Sequence, residues 1–254
     1  MLDMIFDNIY VVWGQDPLKK QYIENHFAKC GIDNYKFVRS LVPKDFFYNK
    51  NERFKFTREE WILHQCKRQG DHMPMSLGEV GCAYGHLKAY KTAITDGAEK
   101  FLVVEDDVRF DVDMCHDVLN WKEYIPIDWD IIHYHSWRKY KNNIHLTDDK
   151  LAKNRKRINK YFYSGHVEFA GAVCYALTSN IAKQLLSRFY PIQVAADGAI
   201  ALFSTTKFAR EHYSAYVIKP FLVDRTMFKS QIDEEVSSSV KYKTRKQRYK
   251  RHSQ

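Results

Sequence analysis

Residues 76–110 read SLGEVGCAYGHLKAYKTAITDGAEKFLVVEDDVRF and contain the clearest structural pattern in the chain. Ser76 and Glu79 form the capping-box pattern S-x-x-E, and apolar residues recur at gaps of three and four over residues 80–94, which predicts a long helix. An Asp-Gly turn follows that helix. The wholly apolar run FLVV at 101–104 is typical of a central parallel strand. The stretch therefore predicts a helix that leads into a buried strand, with three carboxylates directly after the strand.

The N-terminal region predicts a second unit of alternating structure. IYVVW at 9–13 has the pattern of a buried strand, Asp16 and Pro17 are typical of an N-cap and a first helical residue, and Gly31 stands where a C-terminal cap is expected. YKFVRS at 35–40 predicts the next strand. A strand, a helix and a strand in this order open a doubly wound sheet.

Residues beyond the carboxylates continue the pattern. They predict strands over 129–136 and 167–178, a helix over 180–189 and a last strand near 213–223. We therefore predict an α/β fold with a mostly parallel central sheet that is flanked by helices.

The composition is that of a globular protein with a sizeable core. The chain has 254 residues, of which 45% are hydrophobic and 15% aromatic, and this excludes the disordered class. We predict one domain over 1–230 and a basic tail over 231–254. The five cysteines are scattered without a CxxC pair, which predicts free thiols in a reducing compartment. Neither a secretory leader nor a membrane-spanning run is visible, so we expect a cytoplasmic protein.

The positive charge is concentrated in two segments. The net charge is +9, and the basic residues gather at 138–160 and at 241–251. Such segments attract polyanions, which here include an anionic membrane surface, a phosphorylated glycan and nucleic acid. A solvated loop and a solvated tail are the alternative interpretation. The membrane version predicts a peripheral protein at the inner face of a membrane.

Three consecutive carboxylates, Glu105, Asp106 and Asp107, form what we call the acidic turn. They follow the FLVV strand where the chain leaves the carboxyl edge of the sheet, and ligands of open α/β sheets bind at that edge. Like charges this close repel unless a cation or hydrogen-bond donors compensate, and Mg²⁺ and Mn²⁺ prefer oxygen ligands. A metal bound here would bridge to a diphosphate. A solvated acidic turn is the alternative.

Two patterns within residues 76–110 resemble a known family. GE-x-GC-x-x-x-HL at 78–87, followed by VVEDDV at 103–108, closely resembles the signature region of glycosyltransferase family 25, the lipooligosaccharide and collagen galactosyltransferase group. GAVCYALTSNIAKQLL at 171–186 and PIQVAADGAI at 191–200 are similar to a second region of that family. The chain departs from the family at 9–20, IYVVWGQDPLKK, because the arginine of the family's N-terminal turn is missing.

The resemblance implies a GT-A-type nucleotide-sugar-binding fold, a nucleotide-sugar donor, a divalent metal and inversion at the anomeric carbon. It implies that Asp107 binds the metal, Mn²⁺ or Mg²⁺, and that Glu105 lies beside the donor. Asp106 would serve either as a second metal ligand or as a donor contact, or would cap the following turn. Glu79 and His86 would line the donor pocket. The alternative for Glu79 is that it only caps its helix, and the alternative for His86 is that it only forms a buried hydrogen bond.

A general base is needed to take the proton of the acceptor hydroxyl. We choose Asp197 for this role, with binding of the donor hydroxyls or capping of a helix as its alternatives, and Glu168 as the reserve candidate. His212 is a further candidate for the metal shell, with a structural role as its alternative. Cys82 is interpreted as a packing residue.

The predicted activity is that of a metal-dependent, inverting hexosyltransferase. It would move galactose or glucose from a UDP-sugar to a hydroxyl of a glycan acceptor such as lipopolysaccharide or lipooligosaccharide, which is lipid-linked. One alternative is a glycosyltransferase that acts on a hydroxymethylated DNA base, which would have to be flipped out of the duplex. The other is a non-catalytic module that binds a glycan or nucleic acid.

Overall fold

The computed structural model describes residues 2–42, 77–134, 156–165, 172–190, 192, 194–219 and 222–225. Glu168 and the tail 231–254 lie outside this part of the chain, as does the basic segment 241–251. So does the greater part of the basic segment 138–160. The domain boundary at residue 230 therefore stays a prediction.

Two sheets are present within the described residues. The larger contains seven strands: β1 Asn8–Trp13, β2 Tyr35–Arg39, β3 Lys100–Glu105, β5 Trp129–His133, β6 Phe162–Ser164, β7 Cys174–Thr178 and β8 Ser214–Ile218. The smaller pairs β4 Val108–Phe110 with β9 Val223–Arg225. The helices are α1 Pro17–Lys29, α2 Leu77–Thr95, α3 Val112–His116, α4 Val118–Trp121, α5 Ser179–Phe189, α6 Ala196–Thr205 and α7 Lys207–His212, with 3-10 turns at Leu2–Met4 and Lys122–Tyr124.

The strand order in the large sheet is β2-β1-β3-β7-β5-β8-β6. β1, β2, β3, β5 and β8 run in one direction, because β1 pairs in parallel with β2 and β3, and β5 with β8. β7 and β6 run the opposite way. The predicted α/β fold, with a mostly parallel sheet flanked by helices, is confirmed. Two strands differ from a simple parallel doubly wound sheet: β7, which lies antiparallel between β3 and β5, and β6, which is antiparallel to β8 at the edge.

Helices cover both faces of the sheet and give the protein two cores. Alternate residues of β1 and β3 point to opposite faces, so that Tyr10 and Val103 pack in one core with α2 and α5, whereas Val11 and Val104 pack in the other with α1. All four side chains are buried. Full burial of a large aliphatic side chain stabilises the fold by roughly 1.5–3 kcal/mol, which explains why these strands read as continuous apolar runs.

The local signals at the ends of α1 are confirmed. Asp16 Oδ1 accepts a hydrogen bond from the Leu18 N–H at 2.9 Å, Pro17 is the first helical residue, and Gly31 has a φ of 63° beyond the last turn. At the other helix, Gly97 follows the last turn of α2 with a φ of 75°. Ser76 lies outside the described residues, so the capping box of α2 stays a prediction. Among the described helices, none is long and apolar enough to cross a membrane.

Candidate active site at the carboxyl edge of the sheet

The acidic turn lies beside the loop that follows β1. Val12 pairs with Glu105 in the parallel ladder between β1 and β3, so the two strands end side by side. The loop from Gly14 to Asp16 and the acidic turn therefore leave the sheet at the same edge. This is the edge at which α/β sheets of this kind bind ligands.

Asp106 ties these two loops together. Its Oδ2 accepts a hydrogen bond from the Gly14 N–H at 2.7 Å, and its Oδ1 accepts one from Lys19 Nζ at 3.1 Å. Both side chains of this ion pair are buried. Burial raises the pKa of the Asp106 carboxyl above its ordinary value, although the charge of Lys19 and the Gly14 N–H oppose the rise. Both oxygens of Asp106 are thus already bound by protein donors.

Glu105 faces two side chains of α2. Its Oε1 lies 3.5 Å from His86 Nε2 and 3.7 Å from the Cys82 thiol, which donates to it. Cys82 and His86 are one helical turn apart and therefore share one side of α2. Burial raises the pKa of the Cys82 thiol, and the nearby carboxylates of Glu105 and Asp197 raise it further.

A hydrogen-bonded chain continues from His86 into the core. His86 Nδ1 lies 2.6 Å from the Tyr175 hydroxyl, which in turn lies 2.6 Å from the Tyr90 hydroxyl. All three side chains are buried, and Tyr175 comes from β7, the antiparallel strand next to β3. The imidazole is consequently held in one orientation, with its Nε2 edge towards Glu105.

Two glycines let α2 approach the sheet closely enough for these contacts. A Cβ atom on Gly81 would lie 2.1 Å from the Leu41 carbonyl oxygen, and one on Gly85 would lie 2.6 Å from Val12 Cγ1. The Ser40 hydroxyl also donates to the Gly81 carbonyl. Any larger residue at position 81 would push the helix away from the strand ends, and with it Cys82 and His86.

The remaining predicted residues lie as follows. Asp107 is buried, with 4% of its surface exposed, between β3 and β4. Asp197 is in the first turn of α6 and is near enough to Cys82 for its charge to raise the pKa of that thiol. Glu79 is half-buried in the first turn of α2. His212 ends α7, where its Nδ1 lies 2.8 Å from the Phe208 carbonyl oxygen, a contact within its own helix.

Three residues of this site were missed by sequence reasoning. The sequence pattern assigns no role to Lys19 in its helix, and Tyr90 and Tyr175 stand within apolar patterns that are typical of core positions. The one signal for Lys19 is the absence of the family's arginine from the N-terminal turn, because a cation is then needed from another residue in that region and Lys19 supplies it. No signal pointed to the tyrosines, because their partner His86 is more than eighty positions away from Tyr175 in the chain.

Two kinds of cation site can be tested against these contacts. Mg²⁺ and Mn²⁺ are usually held by one or two carboxylates together with substrate phosphates, and the carboxylate of Asp107 fits that requirement. Asp106 fits it less well because Lys19 and Gly14 already bind its oxygens. Within the described part of the chain, only Cys82, His86 and Glu105 form a group of three potential ligands.

An open α/β sheet with an acidic turn at its carboxyl edge belongs to the class of folds that bind ligands at that edge. Comparison with known families gives the particular member of that class. The family described as glycosyltransferase family 25 (LPS biosynthesis protein) matches residues 9–200. The chain belongs to this family, and its α/β fold is the GT-A type that the resemblance implied.

Similar proteins include procollagen galactosyltransferase 2 of Mus musculus, which is 36% identical over 63 residues, or 24% of this chain and 10% of that protein. The procollagen lysyl hydroxylase and glycosyltransferase of Acanthamoeba polyphaga mimivirus is 27% identical over 195 residues, 68% of this chain and 19% of that protein. The chain thus spans a small part of these relatives. The structure of a glycosyltransferase involved in the glycosylation of the major capsid of PBCV-1 covers 91% of this chain and 100% of its own, with 12% identity and a TM-score of 0.39.

Proposed function

We propose that this protein transfers a hexose, galactose or glucose, from a UDP-sugar to a hydroxyl group of a glycan acceptor, with inversion at the anomeric carbon. Membership of family 25 supports the reaction class. The observation that carries the assignment is the acidic turn at the carboxyl edge, whose middle residue Asp106 is fixed by Lys19 and Gly14. Galactose is the first candidate because the procollagen relatives are galactosyltransferases by name.

Asp107 is the proposed ligand of a divalent cation, Mn²⁺ or Mg²⁺, whose other contacts would be the phosphates of the donor. Such an ion supplies positive charge where the nucleoside diphosphate leaves. Asp106 positions the turn, since its oxygens are bound by Lys19 and Gly14. Metal binding by Asp106, which the sequence analysis also predicted, stays a prediction.

Glu105 is the proposed contact to the donor ribose or sugar. Its side chain is 18% exposed, so it can reach a ligand, and His86 lies behind it at 3.5 Å. His86 itself is 1% exposed, which favours a role in orienting Glu105 over direct contact with the donor. Glu79 remains a proposed residue of the donor pocket on the same helix.

Asp197 is the proposed general base. It would take the proton of the acceptor hydroxyl while the acceptor oxygen bonds to the anomeric carbon, and the bond between that carbon and the diphosphate oxygen would break on the opposite face. Its place in the first turn of α6, near enough to the Cys82 thiol for its charge to raise the pKa of that thiol, supports this role. Glu168 stays the reserve candidate and lies outside the described residues.

The acceptor is proposed to be lipopolysaccharide or lipooligosaccharide, in keeping with the family's description as LPS biosynthesis proteins. The basic segments 138–160 and 241–251 would hold the protein near such an anionic, lipid-linked substrate at the inner face of a membrane. This placement rests on charge alone.

The decisive experiment is hydrolysis of a panel of nucleotide sugars by the purified protein, with and without Mn²⁺. Slow release of UDP needs no acceptor, so the donor can be found first. Asp107→Asn should lower metal-dependent release by about 10²-fold or more, because a charge that stabilises the transition state is lost. Asp113→Asn, an exposed change in α3, is the matched control and should leave release unchanged.

The proposal fails if Asp107→Asn and the control release UDP equally. It also fails if no nucleotide sugar is hydrolysed and none raises the melting temperature of the wild-type protein in the presence of Mn²⁺. Thermal unfolding of both variants shows that a loss of release is not a loss of fold.

A further inference from the structure

Cys82, His86 and Glu105 form a compact group that the proposed transfer reaction does not fully explain. Their potential ligand atoms, one from each residue, all lie within 4.8 Å of one another. Two of them come from successive turns of α2 and the third from the last residue of β3. We call this group the Cys82–His86–Glu105 cluster.

Two of the three separations, those that include the Glu105 oxygen, match the spacing of ligands around a tetrahedral zinc ion, and the third is no longer than 4.8 Å. Zinc lies about 2.3 Å from sulfur and about 2.0–2.2 Å from nitrogen or oxygen, so tetrahedral angles place sulfur and oxygen ligands about 3.6 Å apart and nitrogen and oxygen ligands about 3.4 Å apart. The observed distances are 3.7 Å from Cys82 Sγ to Glu105 Oε1 and 3.5 Å from His86 Nε2 to the same oxygen. Both pairs that include Glu105 Oε1 are therefore spaced for one ion between them.

His86 is arranged as a metal ligand would be. Its side chain is 1% exposed, and within the described residues its Nε2 makes no hydrogen bond although it is buried. Its other nitrogen, Nδ1, lies 2.6 Å from the Tyr175 hydroxyl. Histidines that bind metals commonly donate the second ring N–H to an oxygen acceptor such as a carboxylate, carbonyl or water, which fixes the ring and keeps the ligating nitrogen unprotonated, and the Tyr175 hydroxyl oxygen can serve in the same way.

We propose that Cys82, His86 and Glu105 bind a thiophilic divalent cation, Zn²⁺ in the first place, with a fourth position open to water or another ligand. On binding, the Cys82 thiol gives its proton to solvent and coordinates as the thiolate. The sulfur and imidazole donors distinguish this site from that of Asp107, because hard Mn²⁺ and Mg²⁺ prefer oxygen. The partial exposure of Cys82 and Glu105 leaves a path for the ion.

The consequence for activity rests on the proposed function. If Glu105 contacts the donor, an ion that holds Glu105 against α2 competes with that contact. Zinc should then inhibit release of UDP, while Mn²⁺ supports it.

The test uses Co²⁺, which replaces Zn²⁺ and makes its ligands visible by absorption. The full-length, metal-free protein should bind one equivalent of Co²⁺ with the bands of a tetrahedral ion and a thiolate-to-cobalt charge-transfer band, and Zn²⁺ should abolish both. Cys82→Ser should lose the charge-transfer band. Cys30→Ser, which removes a buried thiol of the opposite core, is the matched control and should keep it.

Two further variants distinguish a specific weakening of Co²⁺ binding from a general loss of fold. Tyr175→Phe removes the hydroxyl that orients His86 and should weaken Co²⁺ binding by about 10- to 100-fold with the charge-transfer band retained at saturation. Glu105→Gln should weaken binding and likewise retain the band, because Cys82 is intact.

The inference is overturned if no charge-transfer band appears, if the band survives in Cys82→Ser, or if it is lost in Cys30→Ser instead. It is also overturned if Tyr175→Phe and Glu105→Gln both bind Co²⁺ as the wild type does. The Co²⁺ titration contains no nucleotide sugar, so its failure leaves the transferase proposal standing, and failure of UDP release leaves the zinc site standing.

Discussion

Two helices of this protein carry a cysteine and a histidine one turn apart, on opposite faces of the same sheet. In α2, Cys82 and His86 face the carboxylate of Glu105. In α1, His26 Nε2 lies 3.9 Å from Cys30 Sγ and 3.1 Å from the carbonyl oxygen of Phe110. The two pairs have the same residues and spacing. They differ in the third group beside the thiol, which is the Glu105 carboxylate for Cys82 and the Cys115 thiol for Cys30.

These neighbours shift the pKa values of the two thiols in opposite directions. Burial and the charge of Glu105 raise the pKa of the Cys82 thiol. On the other face, hydrogen bonds from Cys115 and His26 lower the pKa of Cys30 to about 5. The pKa of Cys115 is raised, as expected where one thiol donates a hydrogen bond to a thiolate. A Cys–His pair at helical spacing is therefore no functional signal until its third neighbour is known.

The largest loss of stability, and the largest disturbance of the Cys82 pair, should come from Gly81→Ala. A Cβ at this position would lie 2.1 Å from the Leu41 carbonyl oxygen, so α2 must move and the free energy of unfolding should fall by about 3 kcal/mol or more. Chemical denaturation measures the loss. Movement of α2 also separates Cys82 and His86 from Glu105, whereas the Cys30 pair on α1 keeps its contacts.

Gly198→Ala is the matched control for that variant. Its Cβ would lie 3.7 Å from Val194 Cβ, an ordinary contact, and alanine favours a helix over glycine by up to about 1 kcal/mol. The free energy of unfolding should therefore stay unchanged or rise. Equal stability of the two alanine variants would show that close packing of α2 does not hold the Cys82 pair in place.

A smaller, pH-dependent effect is expected for Cys30→Ser. A thiol whose pKa falls on folding stabilises the protein fully above its ordinary pKa of 9.0, and this stabilisation is lost as the pH falls through about 5. Removal of the thiolate should cost about 1–3 kcal/mol at alkaline pH, because Cys115 then loses its acceptor. The cost should shrink as the pH approaches about 5.

Cys174→Ser distinguishes this linkage from a simple loss of packing. Cys174 lies in the same core, but burial raises the pKa of its thiol, so the thiol is neutral across that pH range. Its replacement should destabilise the protein equally at each pH between about 5 and 9.0. If Cys30→Ser shows the same flat profile, Cys30 is not a thiolate and the contrast with Cys82 is wrong.

The smallest effect should come from Tyr90→Phe. The Tyr90 hydroxyl ends the hydrogen-bonded chain behind His86, 2.6 Å from the Tyr175 hydroxyl, and its loss should cost about 0.5–1.5 kcal/mol in thermal unfolding. Co²⁺ affinity should fall less than in Tyr175→Phe, since His86 keeps its own partner. Tyr10→Phe removes a hydrogen bond to Asp96 away from the cluster and should leave Co²⁺ affinity unchanged.

The features predicted correctly from the sequence are those set by neighbouring residues. Asp16 and Gly31 cap α1 because capping depends on groups a few positions away, and the apolar FLVV run became β3 because both of its faces are covered. The family patterns identified the acidic turn as the centre of the candidate site before any contact was known.

The features that escaped sequence analysis are set by distant pairs. The antiparallel insertion of β7 brings Tyr175 to His86, and no local pattern in the chain reports that pairing. Lys19 and Asp106, 87 positions apart, gave no sign that they form a buried ion pair. The sequence pattern predicts only packing for Cys82, because its position in the helix does not show that Glu105 and His86 lie beside it.

The hydrogen bonds that Asp106 accepts from Gly14 and Lys19 affect the affinity for a ligand at this edge. Gly14 and Lys19 hold both oxygens of this carboxylate before any ligand arrives, so the backbone of the acidic turn is already arranged on both sides of it. A ligand that docks on a preorganised segment does not lose affinity to the entropy of ordering that segment. A charged diphosphate would therefore meet a turn whose shape is fixed by the protein's own internal counter-ion.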